Sequence, residues 1–80
     1  MAKIRFYDSS GRYYFGKVKD NGKIEIYNPE NNLWCGGLKD GERIALYDHE
    51  NNYLWGRVGN SGKIGLYDSS GGYFYGGIKE

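Results

Sequence analysis

Few side chains in this 80-residue chain are of the types that carry out covalent chemistry. Cys35 and His49 are its single cysteine and single histidine, and they are the only conventional nucleophile and base. A nucleophile needs a base within hydrogen-bond reach, but the surrounding pattern places Cys35 in a strand and His49 in a turn of the next repeat. We therefore interpret Cys35 as a small buried residue and His49 as a solvated turn residue, and we predict no catalytic residue.

Carboxylates recur at three positions, and turn formation accounts for them. Asp8, Asp48 and Asp68 each begin a turn, where an Asp side chain bonds to the backbone that follows, so a catalytic carboxylate pair is not needed to explain them. The glycine-rich segments 35–37 and 71–72 precede no helix and lack the amides of a phosphate loop. One Cys and one His exclude an internal disulfide and a His/Cys metal cluster. We expect no metal and no cofactor, and we predict that the protein is not an enzyme.

These residues are positioned by a 20-residue repeat that continues without insertion through one predicted domain, 1–80. The repeats cover 2–21, 22–41, 42–61 and 62–80. A constant period along a whole chain is typical of a repeat architecture. Three columns are identical in all four repeats: Ile4, Ile24, Ile44 and Ile64; Tyr7, Tyr27, Tyr47 and Tyr67; and Gly16, Gly36, Gly56 and Gly76.

Within each repeat, apolar and polar residues alternate with period two, which is typical of a half-buried strand. Ile4 and Phe6 share one face of a first strand, while Tyr14 and Val18 share one face of a second. Turn signals separate the strands, and Asp40-Gly41 is a strong hairpin signal between repeats. The pattern predicts an all-β fold of four β-hairpins, arranged as an eight-stranded antiparallel meander.

The ends of the repeat array favour closure over an open stack. An open stack needs atypical capping repeats, whereas here the first and last repeats share Tyr-Asp-Ser-Ser-Gly. We therefore predict a pseudo-four-fold pinwheel or small barrel in which the first strand meets the last and the isoleucine column lines the axis. The glycine column predicts a sharp bend of each hairpin, with a neighbouring ring over the bare backbone. Gly36→Val or Gly56→Val is expected to unfold the protein.

The repeat Ile-x-Leu-Tyr-Asp, turn, Tyr-x-x-Gly-x-Val resembles that of the bacterial four-fold β-flower proteins, some of which come from integron gene cassettes. The resemblance covers the whole chain and implies a radial arrangement of hairpins, but no activity and no functional residues. A weaker similarity to MORN repeats is carried by the aromatic-x-Gly pairs Tyr14-x-Gly16 and Phe74-x-Gly76. That resemblance would imply a scaffold or a lipid-associated role.

Charge and hydropathy limit the partners. The formal net charge is +1, from eleven Lys and Arg and ten Asp and Glu, and both signs are spread evenly along the chain. Because such a distribution gives no long-range field to steer a polyanion, nucleic acid is not an expected partner. The start of the chain has no apolar run typical of a signal peptide, and no stretch is long enough to span a bilayer. We expect a soluble cytoplasmic protein without membrane contact.

The face opposite the predicted core carries an unusual amount of aromatic surface. The simplest interpretation is that cross-strand aromatic pairs cover the sheet. The leading functional hypothesis is a structural module that self-associates into a homo-oligomer, or binds another protein, through this face. The alternatives are a binding module for a sugar, a small aromatic or cationic ligand or single-stranded bases, and a MORN-like scaffold.

Differences between the repeats indicate where a ligand would bind. The turns Glu30-Asn31-Asn32 and Glu50-Asn51-Asn52 are found in repeats two and three, which also contain both tryptophans. Drift after duplication is the simpler explanation of any single difference. The predicted interaction surface comprises Trp34, Trp55, Tyr53, Tyr47, Tyr27 and Arg57.

Overall fold

The alternation of apolar and polar residues produces strands throughout the computed structural model, which describes residues 2–79. Two strands fall in each repeat, as predicted. The strands are β1 Ala2–Asp8, β2 Tyr13–Val18, β3 Lys23–Tyr27, β4 Leu33–Lys39, β5 Arg43–Tyr47, β6 Tyr53–Val58, β7 Lys63–Asp68 and β8 Tyr73–Lys79. No described residue is helical.

Each strand pairs antiparallel with its neighbours in sequence, and β1 also pairs with β8, so the meander closes into a barrel. Ile4 lies opposite Gly16 on one side and opposite Ile78 on the other. Closure pairs both edges of the sheet and leaves no ladder open to another chain. The predicted closed meander is confirmed.

Turn chemistry differs between the two ends of the barrel. The turns within repeats lie at one end, here called the hairpin end, and those between repeats lie at the other, the junction end. At the junction between β4 and β5, Asp40 and Gly41 have φ of 57° and 72°. Two successive positive φ values are those of a type I′ turn, whose twist matches the flanking strands. Asp40-Gly41 therefore forms the tight hairpin that its sequence predicts.

The core fills the barrel interior. The four isoleucines of the repeat column are no more than 4% exposed, and Phe6, Ile26, Leu46 and Leu66 form a second layer that is fully buried. Towards the hairpin end, Phe6, Tyr14, Trp34 and Phe74 pack together with ring centroids 5.0 to 6.5 Å apart. The even positions of the strands thus face inward, and the odd positions face solvent.

The invariant glycines occupy inward positions where strands approach too closely for a side chain. A Cβ built at Gly36 would overlap the carbonyl oxygen of Ala45 and lie 2.8 Å from the Cα of Leu46. Equivalent backbone overlaps occur at Gly16, Gly56 and Gly76. The neighbour is the backbone of the next strand, not the aromatic ring that we expected from the sequence. Glycine is required because the small barrel brings adjacent strands together at this level.

Candidate functional site

The outer face carries a band of exposed side chains, here called the aromatic belt, that follows the barrel circumference. Its members are each 38 to 49% exposed. Adjacent rings touch both across and along the strands: Tyr47 and Tyr53 on neighbouring strands have centroids 5.3 Å apart, and Tyr53 stacks on Trp55 of its own strand at 5.7 Å. The belt comprises Tyr7, Tyr13, Phe15, Tyr27, Leu33, Tyr47, Tyr53, Trp55, Tyr67, Tyr73 and Tyr75.

The chain of ring contacts is interrupted on β4. Here Leu33 and Cys35 occupy belt positions that hold aromatic rings on β2, β6 and β8. The Cys35 thiol is exposed, so the prediction that Cys35 is a buried residue is wrong. Tyr27, which touches Phe15 at 6.2 Å, lies on the other side of this gap from Tyr47.

Trp34 does not belong to the outer surface, and its predicted place there is wrong. It occupies an inward position of β4 and is 6% exposed, whereas Trp55 occupies an outward position of β6 and is 40% exposed. The physical reason is the alternation of side chains along a strand. The two tryptophans fall in different columns of the repeat, and successive positions of a strand face opposite sides of the sheet. Tyr53, Tyr47, Tyr27 and Arg57 are exposed as predicted.

At the hairpin end, Trp34 donates its indole N–H to Nδ1 of His49 at 3.3 Å. His49 is exposed, in agreement with its prediction as a turn residue, but it also satisfies the single polar group of a buried tryptophan. Cys35 lies on the outer face of β4, whereas His49 lies in a turn at the hairpin end. The geometry shows no nucleophile and base pair formed by them.

The recurring aspartates Asp8, Asp48 and Asp68 bond to their own turns at this end, as the sequence predicts. Oδ1 of Asp8 accepts bonds from the backbone N–H groups of Ser10 and Arg12, and Oδ2 accepts one from the Tyr14 hydroxyl at 2.9 Å. Burial raises the pKa of the Asp8 carboxyl, but the bonds from Ser10, Arg12 and Tyr14 outweigh it and leave that pKa below its usual value. Burial, together with the bond to Asp8, raises the pKa of Tyr14 to about 12.

Charges that are evenly spaced along the chain are segregated in space. Segments 8–12, 28–32, 48–52 and 68–72 form the hairpin end, where five acids and one base give a charge of −4. The other described residues, which include the junction end and are here called the positive half, carry ten bases and four acids, a charge of +6. Even spacing of charge along the sequence therefore does not give an even distribution in space, because the acids concentrate at the hairpin end.

Six of the ten bases of the positive half form two rows across adjacent strands. In the first row, Lys39 lies opposite Arg43, which lies opposite Arg57. In the second row, Lys79 lies opposite Lys3, which lies opposite Lys17. The two rows are 40 residues, or two repeats, apart in the sequence and therefore lie on opposite sides of the four-repeat barrel. The equivalent rows on β3–β4 and β7–β8 are interrupted, because Lys23 lies opposite Gly37 and Lys63 lies opposite Gly77.

Each row borders an open groove that reaches up to the aromatic belt. The groove centred on β6, here called the β6 groove, has a volume of about 610 Å³ and is lined by its cation row together with Trp55 and Tyr67. Ala45 and Gly65 leave it open because they are the small outward residues of the flanking strands. The β1 groove, of about 790 Å³, contains Lys3, Arg5, Lys63 and Lys79 beside Tyr13 and Phe15.

Sequence reasoning missed both rows because no cation in them is a neighbour of the next in sequence. Arg43 and Arg57 are 14 positions apart and meet only through the β5–β6 register. A signal was present in the repeat, since column 17, 37, 57, 77 alternates Lys, Gly, Arg and Gly. That alternation indicates that repeats one and three share a cation at this position. The prediction had instead singled out repeats two and three on the basis of their turns, and the turns within repeats lie at the acidic hairpin end.

Among residues 2–79, no three His, Cys, Asp or Glu side chains are grouped so that they could hold a metal ion. The described part of the chain also contains no helix long and apolar enough to cross a membrane. Comparison of the chain with models of protein families, with curated proteins and with solved structures finds no match. The resemblances to β-flower and MORN proteins thus stay predictions from the repeat motif.

Proposed function

We propose that the protein is a non-enzymatic binding module that takes an anionic, planar ligand on its outer face. One observation carries the proposal, namely that exposed rings and rows of cations lie side by side on the same outward surface. Tyrosine and tryptophan faces stack on planar groups, and Arg and Lys make strong charge-assisted bonds to anions. Together they recognise both parts of such a ligand.

The positive half sets the sign of the ligand. A cationic ligand would stack on Trp55 but would be repelled by Arg43 and Arg57 beside it, so the earlier alternative of a cationic ligand is disfavoured. The ion pair between Arg57 and Glu42 spans 3.9 Å between exposed groups, and such surface pairs contribute little. The three bases of the row outnumber Asp40 and Glu42, the acids of the adjoining turn, so the row keeps a positive charge that can attract an anion.

Two planar fluorescent probes of opposite charge test this proposal. Anilinonaphthalene sulfonate should bind with an affinity that falls as salt is added, because ions screen exposed charges, whereas the cation thioflavin T should not bind. Trp55→Leu should weaken sulfonate binding. Tyr75→Leu is the matched control, since Tyr75 lies in the same column of a repeat whose cation row is interrupted by Gly77. Equal binding of the two probes, or none, would refute the proposal.

Self-association is a second candidate function, supported by the opposite charges of the two ends. Two barrels lying side by side in opposite directions would place belt against belt and the positive half of each against the acidic end of the other. Closure argues against any need for this contact in folding, since both sheet edges are already paired. In light scattering coupled to size exclusion, a dimer that dissociates in salt supports it, and a monomer at every concentration removes it.

A further inference from the structure

We propose that the β6 and β1 grooves each bind a nucleotide, with its phosphate on the cation row and its base on the rings of the belt. This inference rests on the proposed function and specifies the ligand class and the number of sites. The two grooves are related by two repeats, and both place rings above cations. They differ in that Arg5 lies in the β1 groove at the position that Ala45 holds in the β6 groove, and Lys17 is not among the residues that line the β1 groove.

The cation rows explain the choice of phosphate. Arg43 and Arg57 are directly opposite each other on neighbouring strands, and like charges in that position destabilise a sheet. An anion lying between them converts this repulsion into attraction. Neighbouring strands are about 4.8 Å apart, so three cations span roughly 10 Å across the row. A terminal phosphate offers three acceptor oxygens to such a row, whereas a carboxylate offers two.

The position of the rings explains the choice of a base. Trp55 and Arg57 face outward from the same strand two residues apart, a separation of roughly 7 Å. A phosphate on the cation row therefore places an attached planar group at the level of Trp55 and Tyr67, whose ring centroids are 6.5 Å apart. Ala45, opposite Trp55 on β5, leaves one side of that ring uncovered by a large side chain. Stacking on the indole is sequence-tolerant, since every base has a flat face.

Calorimetric titration with adenosine monophosphate, adenosine and inorganic phosphate tests the requirement for both parts. The monophosphate should bind at two sites per chain, and adenosine and phosphate should each bind at least about tenfold more weakly. A short single-stranded oligothymidylate identifies the source of the nucleotide. Tighter binding of the strand than of the monophosphate assigns the grooves to single-stranded nucleic acid, and equal or weaker binding assigns them to free nucleotides.

Matched variants locate the sites. Arg43→Ala combined with Arg57→Ala should reduce the stoichiometry from two to one, because the β1 groove is untouched. Lys23→Ala should leave it at two, since Lys23 occupies the Arg43 column but faces Gly37. Arg43→Ala should also raise the melting temperature of the free protein, because it removes a like-charge pair. A site whose cations had only a structural role would not combine weaker binding with higher stability.

Three outcomes would overturn the inference. One is binding of the sulfonate probe without binding of any nucleotide, which would leave the proposed function standing. Another is an equal loss of nucleotide affinity in Lys23→Ala, which would indicate a diffuse field in place of built sites. The third is binding to phosphatidylglycerol vesicles in the absence of nucleotide binding, which would assign the surface to anionic lipid.

Discussion

The glycine column provides the sharpest test of the barrel, and Gly36→Ala is the smallest change that probes it. The added Cβ would overlap the carbonyl oxygen of Ala45 and lie 2.8 Å from the Cα of Leu46. Since carbon atoms pack at about 3.5 to 4.0 Å, β5 would have to move away from β4 by roughly 1 Å. The obstructing atoms are backbone, so no side-chain rotation relieves the overlap.

The expected cost follows from two contributions. Overpacking costs typically about 1 to 3 kcal/mol, and weakening two bonds of the β4–β5 ladder costs about 0.5 to 1.5 kcal/mol each. A loss of about 4 kcal/mol is comparable to the entire stability of a small domain, which is roughly 4 to 12 kcal/mol for this length. It should lower the melting temperature by roughly 15 to 30 °C, and Gly36→Val should abolish folding.

The adjacent residue supplies the control. A Cβ at Gly37 would meet only the carbonyl oxygen of Gly22 at 3.7 Å, which is ordinary van der Waals contact. Gly37→Ala should therefore leave stability within about 0.5 kcal/mol of the wild type, as for other surface substitutions. Thermal unfolding followed by circular dichroism compares the two variants. If Gly36→Ala melts with the wild type, the close approach of β4 and β5 described here is incorrect.

Three further predictions concern titration and tryptophan burial. Because folding raises the pKa of Tyr14 from 10.0 to about 12, the unfolded state loses its proton first as pH rises, and about 2 to 3 kcal/mol should be lost between pH 10 and 12; alkaline denaturation of Tyr14→Phe should lack this step. Because the pKa of Asp8 is lowered in the folded state, the ionised Asp8 carboxylate should stabilise the fold above about pH 4, and this stabilisation should be lost below that pH. Acid denaturation of Asp8→Asn should lack this contribution to the free energy of unfolding. Trp34→Ala should lower the free energy of unfolding by about 3 to 5 kcal/mol because it leaves a cavity in the core, and Trp55→Ala should lower it much less. Acrylamide should quench the fluorescence of Trp55→Phe, which retains only the buried Trp34, less than that of Trp34→Phe, which retains only the exposed Trp55. Equal quenching would contradict the inward position of Trp34 and the outward position of Trp55.

The fold could be predicted from the sequence because its signals are local and repeated. Period-two alternation, turn residues such as Asp40-Gly41 and a constant repeat length specify strands, turns and their order. Matching first and last repeats also indicated closure, which the β1–β8 pairing confirms. The isoleucine column was assigned to the interior for the same reason, since all its members share one phase of the alternation.

The candidate site could be predicted only in part. The outward tyrosines follow from the same alternation, and Trp55, Tyr53 and Tyr47 lie where expected. Trp34 was misplaced because it was grouped with Trp55 by residue type, although its phase in the repeat puts it inside. Cys35 was misjudged because a small apolar side chain is often buried, while its phase puts it on the belt.

The sequence by itself therefore determined the strands, the turns, the order of pairing and which phase of each strand is apolar, since these depend on neighbours within a few residues. Only the tertiary structure decided which charges meet. Bases such as Arg43 and Arg57 form a row because the register of the closed barrel places them opposite each other. The evenly charged chain becomes a polarised barrel because antiparallel strands gather every turn within a repeat at one end and every turn between repeats at the other.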